Sequence, residues 1–169
     1  YQRNGKNSLD LVLSLNGLPI STLELKNQFT GQDVNNAIYQ YKNDREPTEP
    51  IFWFKKRSLV HFAVDTDVCF MTTRLAKGGT RFLPFNLGNK NGAGNPINKE
   101  GGYNTSYLWE YVLAKDSFMD IIGKFIHLKV EEFDHLLTTF YGQWRNYYRI
   151  HTIEGKKRKL PLMNPMKDT

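Results

Sequence analysis

Cysteine is almost missing from this chain. Cys69 is the single one in 169 residues, so no intrachain disulfide can form, and the C-x-x-C pairs of structural zinc sites are absent. The cell interior is the expected setting. No run of about twenty apolar residues occurs, and the segment from Tyr1 to Ser8 leads into no signal-type apolar stretch, so neither a membrane-spanning nor an exported protein is expected. The triplet Asn104-Thr105-Ser106 matches a glycosylation acceptor, but nothing else points to secretion. Nucleotide-binding glycine motifs fail as well. Gly92-Ala93-Gly94-Asn95-Pro96 neither follows a strand nor opens a helix, and Gly78-Gly79-Thr80 lacks the lysine-serine or lysine-threonine ending of a phosphate loop. His61, His127, His135 and His151 show no ligand-like clustering. His61 and Cys69 both sit in apolar strand patterns, which suits packed, inert side chains.

What is present suits one folded domain over residues 1–169. Apolar residues make up 40% and aromatic residues 14%, enough for a sizeable core at this length. The formal charge of +6 favours an anionic partner, a weak signal when taken alone.

The first readable element has leucine at every odd position from Leu9 to Leu15, which is strand periodicity. Ile20 to Lys26 alternates again, and Asn16-Gly17 between them signals a hairpin. A two-residue turn would place Asp10 opposite Leu23, separating Asp10 and Glu24 onto different faces. A three-residue connection, Asn16-Gly17-Leu18, would pair Ser14 with Ile20, Val12 with Thr22 and Asp10 with Glu24. The second register is favoured because it keeps Leu9, Leu11, Leu13, Leu15, Leu23 and Leu25 on one apolar face; a bulge produces the same relation.

A helix is expected over about Asp33 to Lys42, with Val34, Ala37, Ile38 and Tyr41 forming one apolar stripe. Strands follow at Ser58 to Val64 and Val68 to Thr73, joined across Asp65-Thr66-Asp67. Residues 8–74 thus form the expected catalytic core. Residues 77–104 are broken by glycine and proline around Phe82-Leu83-Pro84-Phe85 and read as an irregular loop region. A helical region spans 105–148 in pieces at Tyr107 to Leu113, Ser117 to about Lys129 and Phe133 to Tyr148, the first two started by hydroxyl caps. Residues 155–169 form a basic tail or linker. Its run Lys156-Lys157-Arg158-Lys159 is either a solvated segment or a set of phosphate contacts.

Chemistry concentrates on the first hairpin. Glu24 and Lys26, two apart in a strand, share a face at about 7 Å separation, and the favoured register brings Asp10 to that face. Two crowded carboxylates repel one another unless a cation compensates, and magnesium suits such oxygen ligands. A bound ion would polarise a phosphodiester and activate water, with Lys26 orienting that water or stabilising charge at phosphorus. Leu25 is expected to point into the core and steady its two neighbours. The bland alternative is a solvated strand face; against it, the same face carries Val12 and Ile20.

The runs SLDLVLSLNGLPISTLELKNQ, NNAIYQYKNDR, LVHFAVDTDVCFMTTRLA, TRFLPFN, GNPIN and TSYLWEYVLAKDSFMDIIGKFIHLKVEE follow one another over roughly residues 8 to 132. In that order they resemble the nuclease region of the type I restriction enzyme R subunit, a member of the PD-(D/E)xK nuclease class. The resemblance implies an α/β, restriction-endonuclease-like core with a mixed central sheet flanked by helices. It further implies Mg2+-dependent cleavage of double-stranded DNA in the bacterial or archaeal cytoplasm, in a complex with methyltransferase and specificity subunits. Asp10 and Glu24 match the family's metal-binding acids, and Lys26 matches its catalytic lysine. ATP would serve only a motor region of the full-length subunit; no ATP-binding motif of that motor is visible here, and the chain is expected to be a fragment of that larger protein. Family members often carry a glutamine four residues before the tyrosine matched by Tyr41, where this chain has Ala37. Tyr41 and the neighbouring Gln40 are the expected supporting or DNA-positioning residues. Two alternatives stand beside this reading. One is a PD-(D/E)xK repair or resolving nuclease, marked by a preference for branched DNA; the other is a non-catalytic DNA-binding or subunit-docking module, indifferent to replacement of Lys26.

Overall fold

In the hairpin that opens the fold, Asn16 and Gly17 have φ of 50° and 80°. Both lie in the left-handed region, which makes a two-residue type I′ turn and suits the twist of the flanking strands. The structure is a computed structural model that describes residues 7–89 and 92–125. Strand β1 (Leu11–Leu15) pairs antiparallel with β2 (Leu18–Leu25). Leu15 faces Leu18 and Ser14 faces Pro19, whereas Leu13 faces Ser21 and Val12 faces Thr22. The expected three-residue connection and the Ser14–Ile20 pair are therefore corrected. The turn has two residues, and Ile20 is the extra residue of a bulge. Pro19 gives the physical reason, since it has no N–H for a ladder bond and strands accommodate proline at such irregularities. Beyond the bulge the register is the one that sets position 10 against position 24.

From β2 the chain enters helix α1 (Val34–Tyr39) and returns as β3 (Val60–Val64), which lies parallel to β2. The start of α1 is closed by a capping box, with Asp33 accepting from Asn35 and Asn36 N–H while the Asn36 side chain accepts from Asp33 N–H. Asp65, in the turn after β3, accepts the N–H of Val34 at 2.9 Å and so fixes the helix start to the sheet. The chain continues through β4 (Cys69–Thr72) and the short β5 (Leu83–Pro84), both added antiparallel. The result is an α/β arrangement with a mixed five-stranded sheet in the order β1-β2-β3-β4-β5.

The expected stripe packs as read. Val34, Ala37 and Tyr41 are buried with Phe52, Ala63 and Leu75, and Ile38 lies against the same cluster. The other expected apolar face is corrected in part: Leu23 is buried, but Leu11 and Leu25 are 42% and 44% exposed. His61 and Cys69 are both fully buried.

The described residues divide into two compact units, one up to Phe85 and one from Asn86 onward. In the second, asparagine side chains add to a short backbone pairing of Asn89 with Gly92. Asn95 accepts from Leu87 N–H and donates to Asn86, and Asn98 N–H donates to Asn104 Oδ1. A wide i→i+5 helical turn covers Leu108–Val112, and α2 (Lys115–Asp120) continues into another such turn at Ile121–Phe125. The expected hydroxyl caps are corrected: Tyr107 and Ala114 occupy the cap positions without side-chain bonds, and Ser117 lies inside α2. The helix expected at Phe133 to Tyr148 and the end of the preceding one lie outside the described residues. Among the described residues, no helix is long and apolar enough to cross a membrane.

Candidate active site

Strand alternation sends Thr22, Glu24 and Lys26 toward the side of the sheet on which α1 packs. Lys26 stands one residue beyond β2, yet its N–H donates to the Val64 carbonyl at 2.8 Å, so the parallel ladder still holds its backbone. Asp10 stands one residue before β1, and its Oδ2 accepts from Leu25 N–H at 2.7 Å. Leu25 thus secures Asp10 through its backbone, and the expectation that its side chain anchors the site from the core does not hold. Continuing the Leu11–Leu23 register places Asp10 opposite Glu24.

Glu24 is 1% exposed. Arg45, itself buried, donates from Nε to Glu24 Oε1 at 2.7 Å and from Nη2 to the Ser8 carbonyl at 2.7 Å. One guanidinium therefore ties the acid on β2 to the segment that carries Asp10. The second Glu24 oxygen, Oε2, is buried with no hydrogen-bond partner. Burial pushes the Glu24 carboxyl up to about 7; the hydrogen bond and charge of Arg45 pull it down, the charge of Asp10 adds to the rise, and that of Lys26 opposes it. Glu24 thus responds electrostatically to each of the groups expected beside it.

Arg45 is a member of this site that motif spacing alone does not reveal. Its signal is its position: it continues the stripe of Val34, Ala37 and Tyr41 by four more residues, a cation where an apolar side chain would otherwise point inward. The wide turn at Gln40–Asp44, closed by Arg45 N–H donating to the Gln40 carbonyl, carries it there.

Behind the acids lies a buried polar chain. The Tyr41 hydroxyl is 2.9 Å from Thr22 Oγ1, which is 2.7 Å from His61 Nδ1. Burial pushes His61 down to about 3 and holds the Tyr41 hydroxyl well above its ordinary value, so both are neutral near pH 7. Tyr41 has no exposed surface and supports the strand from within. Gln40 is half-buried, and its Oε1 is buried without a partner. The basic run Lys156, Lys157, Arg158 and Lys159 lies outside the described residues.

Among the described residues, no group of three or more His, Cys, Asp or Glu side chains is placed to hold a metal ion. A two-carboxylate site still suits magnesium, which keeps several waters and is commonly held by one or two carboxylates with substrate phosphate. The buried, unpartnered Glu24 Oε2 is an oxygen whose solvation is lost and not replaced, and a cation would satisfy it.

Residues 1–80 match the family model described as type I restriction enzyme R protein N terminus. That stretch contains strands β1 to β4 and every side chain of the acid centre. No curated protein and no solved structure matches the chain.

Proposed function

We propose that the first unit is a restriction-endonuclease-like nuclease centre of a type I restriction enzyme R subunit, hydrolysing phosphodiesters of double-stranded DNA with Mg2+. The observation that carries this reading is the buried Glu24, with one oxygen clamped by Arg45 and the other unpartnered, in register with Asp10 and two residues before Lys26. The match of residues 1–80 supports the restriction context.

Asp10 and Glu24 would hold the ion. When bound, it supplies Lewis-acid polarisation of the phosphate and a lowered pKa for the attacking water. The chain's own part is geometric and electrostatic. Arg45 fixes the orientation of Glu24, the Leu25 N–H fixes Asp10, and the ladder bond of Lys26 holds its backbone two residues beyond Glu24, where strand alternation turns the side chain to the same face. Lys26 stabilises negative charge building on the phosphoryl oxygens and orients the nucleophilic water. Glu24 must give up its proton to serve as a ligand, so a rise in pH through about 7 favours the competent form. On this reading the partners are duplex DNA and the methyltransferase and specificity subunits. ATP belongs to a motor region of the longer subunit, and the setting is the bacterial or archaeal cytoplasm.

The test is Lys26→Ala in the assembled enzyme. We expect cleavage to fall on the order of 10²–10³-fold or more, as when a charge-stabilising group is removed, while ATP-driven translocation persists. Undiminished cleavage would overturn the role of Lys26 and favour a docking or DNA-binding module.

A further inference from the structure

At the opposite end of β3 from the acids, the turn from the short helical segment Pro50–Phe52 into the strand presents Trp53, Phe54, Lys55, Lys56 and Arg57 in succession. The turn is built firmly. Phe52 is buried in the core, Trp53 Nε1 donates to the Thr48 carbonyl at 2.7 Å, and the N–H groups of Lys56 and Arg57 both reach the Trp53 carbonyl. On this base the cations lie over rings: Lys55 Nζ is 5.3 Å and Arg74 Cζ 5.6 Å from the Phe54 centroid, and Lys56 Nζ is 5.8 Å from that of Trp53. Lys55, Lys56, Arg57 and Arg74 are all exposed. Lys55, Lys56 and Arg57 form no ion pair among the described residues. Lys55 also has φ of 65°, a left-handed conformation that costs a lysine free energy and a glycine none.

We propose that this turn, together with Arg74, is a contact surface for the phosphate backbone of duplex DNA, separate from the cutting centre and reading no bases. A solvated lysine face needs neither aromatic supports nor a lysine at a position that favours glycine. Here both are present in a turn tied to the core, and strained backbone of this kind gathers at functional sites. Contacts from such cations to phosphate position a protein on the duplex without carrying sequence information, so the surface offers charge and not base readout. From Val60 to Val64, β3 spans about 13 Å and stands between this turn and the acids. The identity of the polyanion rests on the nuclease reading; the existence of a phosphate-binding surface does not.

The experiment is fluorescence anisotropy of a labelled blunt duplex with the full chain, in chelator without divalent metal, over a range of salt concentrations. Each phosphate contact contributes about 0.9 to the slope of log affinity against log salt. Lys55→Gly should reduce that slope by about one unit and leave the melting temperature unchanged or raised, because glycine relieves the backbone. The triple variant Lys55→Gly, Lys56→Gln, Arg57→Gln should reduce it by two to three units and weaken binding at least tenfold at low salt. Equal slopes and affinities in wild type and triple variant overturn the proposal, as does failure of the wild-type chain to bind the duplex. Because the assay needs neither metal nor cutting, these results separate this surface from the role of Lys26 in cleavage.

Discussion

Alternate residues of β2 meet opposite conditions. On the side packed by α1, Thr22 and Glu24 have 0% and 1% of their surface exposed, and their neighbours include Tyr41, His61 and Arg45. On the other side Leu23 is buried, while Leu25 and its same-face neighbour Leu11 are nearly half exposed. Full burial of a leucine is worth roughly 1.5–3 kcal/mol, whereas an ion pair taken out of water often gives no net gain over apolar residues of similar size. Stability alone would favour the opposite assignment of faces. The helix-covered face instead holds a carboxylate rigidly, with one oxygen paired and one left over. That is what a metal ligand needs, and it makes Arg45 the residue on which this face most depends.

The largest expected effect comes from breaking that pair. Arg45→Ala should lower unfolding stability by about 3–5 kcal/mol at pH 8, where Glu24 is ionised, and by less at pH 5, where it is protonated. Chemical denaturation at both pH values reads the difference. Combining Arg45→Met with Glu24→Leu should return most of the lost stability; an Arg45→Ala protein as stable as wild type would remove the clamp from the fold. The two leucines sharpen the contrast next. Leu23→Ala should cost about 2–4 kcal/mol and Leu25→Ala less than about 1 kcal/mol, and similar losses would show that the faces do not differ as described.

A pH titration of stability without metal probes the same face more gently. Folding raises Glu24 from 4.5 to about 7, so between those values the native protein holds this proton more often than the unfolded chain does. The contribution of this group therefore declines as pH rises through that window, and Glu24→Gln should flatten the decline. An identical pH profile in Glu24→Gln would rule out the raised carboxyl. The smallest effect is expected from Tyr41→Phe, which loses one hydrogen bond to Thr22 while His61 keeps its own, a cost of about 1 kcal/mol in thermal or chemical unfolding.

Much of the first unit was legible from residue patterns. Leucine alternation and Asn16-Gly17 announced the hairpin, and the stripe from Val34 to Tyr41 announced the face of α1 that meets the sheet. The relation between positions 10 and 24 also emerged, although through a bulge at Ile20 and not a longer turn; the missing N–H of Pro19 was the clue. Exposure of Leu11 and Leu25 was hidden because alternation separates two faces without saying which one a helix will cover. Arg45 was overlooked because a charged residue ending a stripe looks like a helix terminus unless its buried partner is already known. In the second unit, asparagine side chains bonding to backbone groups follow no period, and wide helical turns blur the 3.6-residue spacing on which a sequence reading relies.

A crystal of the chain soaked with manganese addresses the proposed cutting centre most directly, since anomalous scattering locates that ion unambiguously. We expect one ion bound directly by carboxylate oxygens of both Asp10 and Glu24, with the Lys26 amine on the same side of the sheet. An ion bound elsewhere, or none while both acids stay apart at saturating manganese, would contradict the metal-dependent nuclease centre.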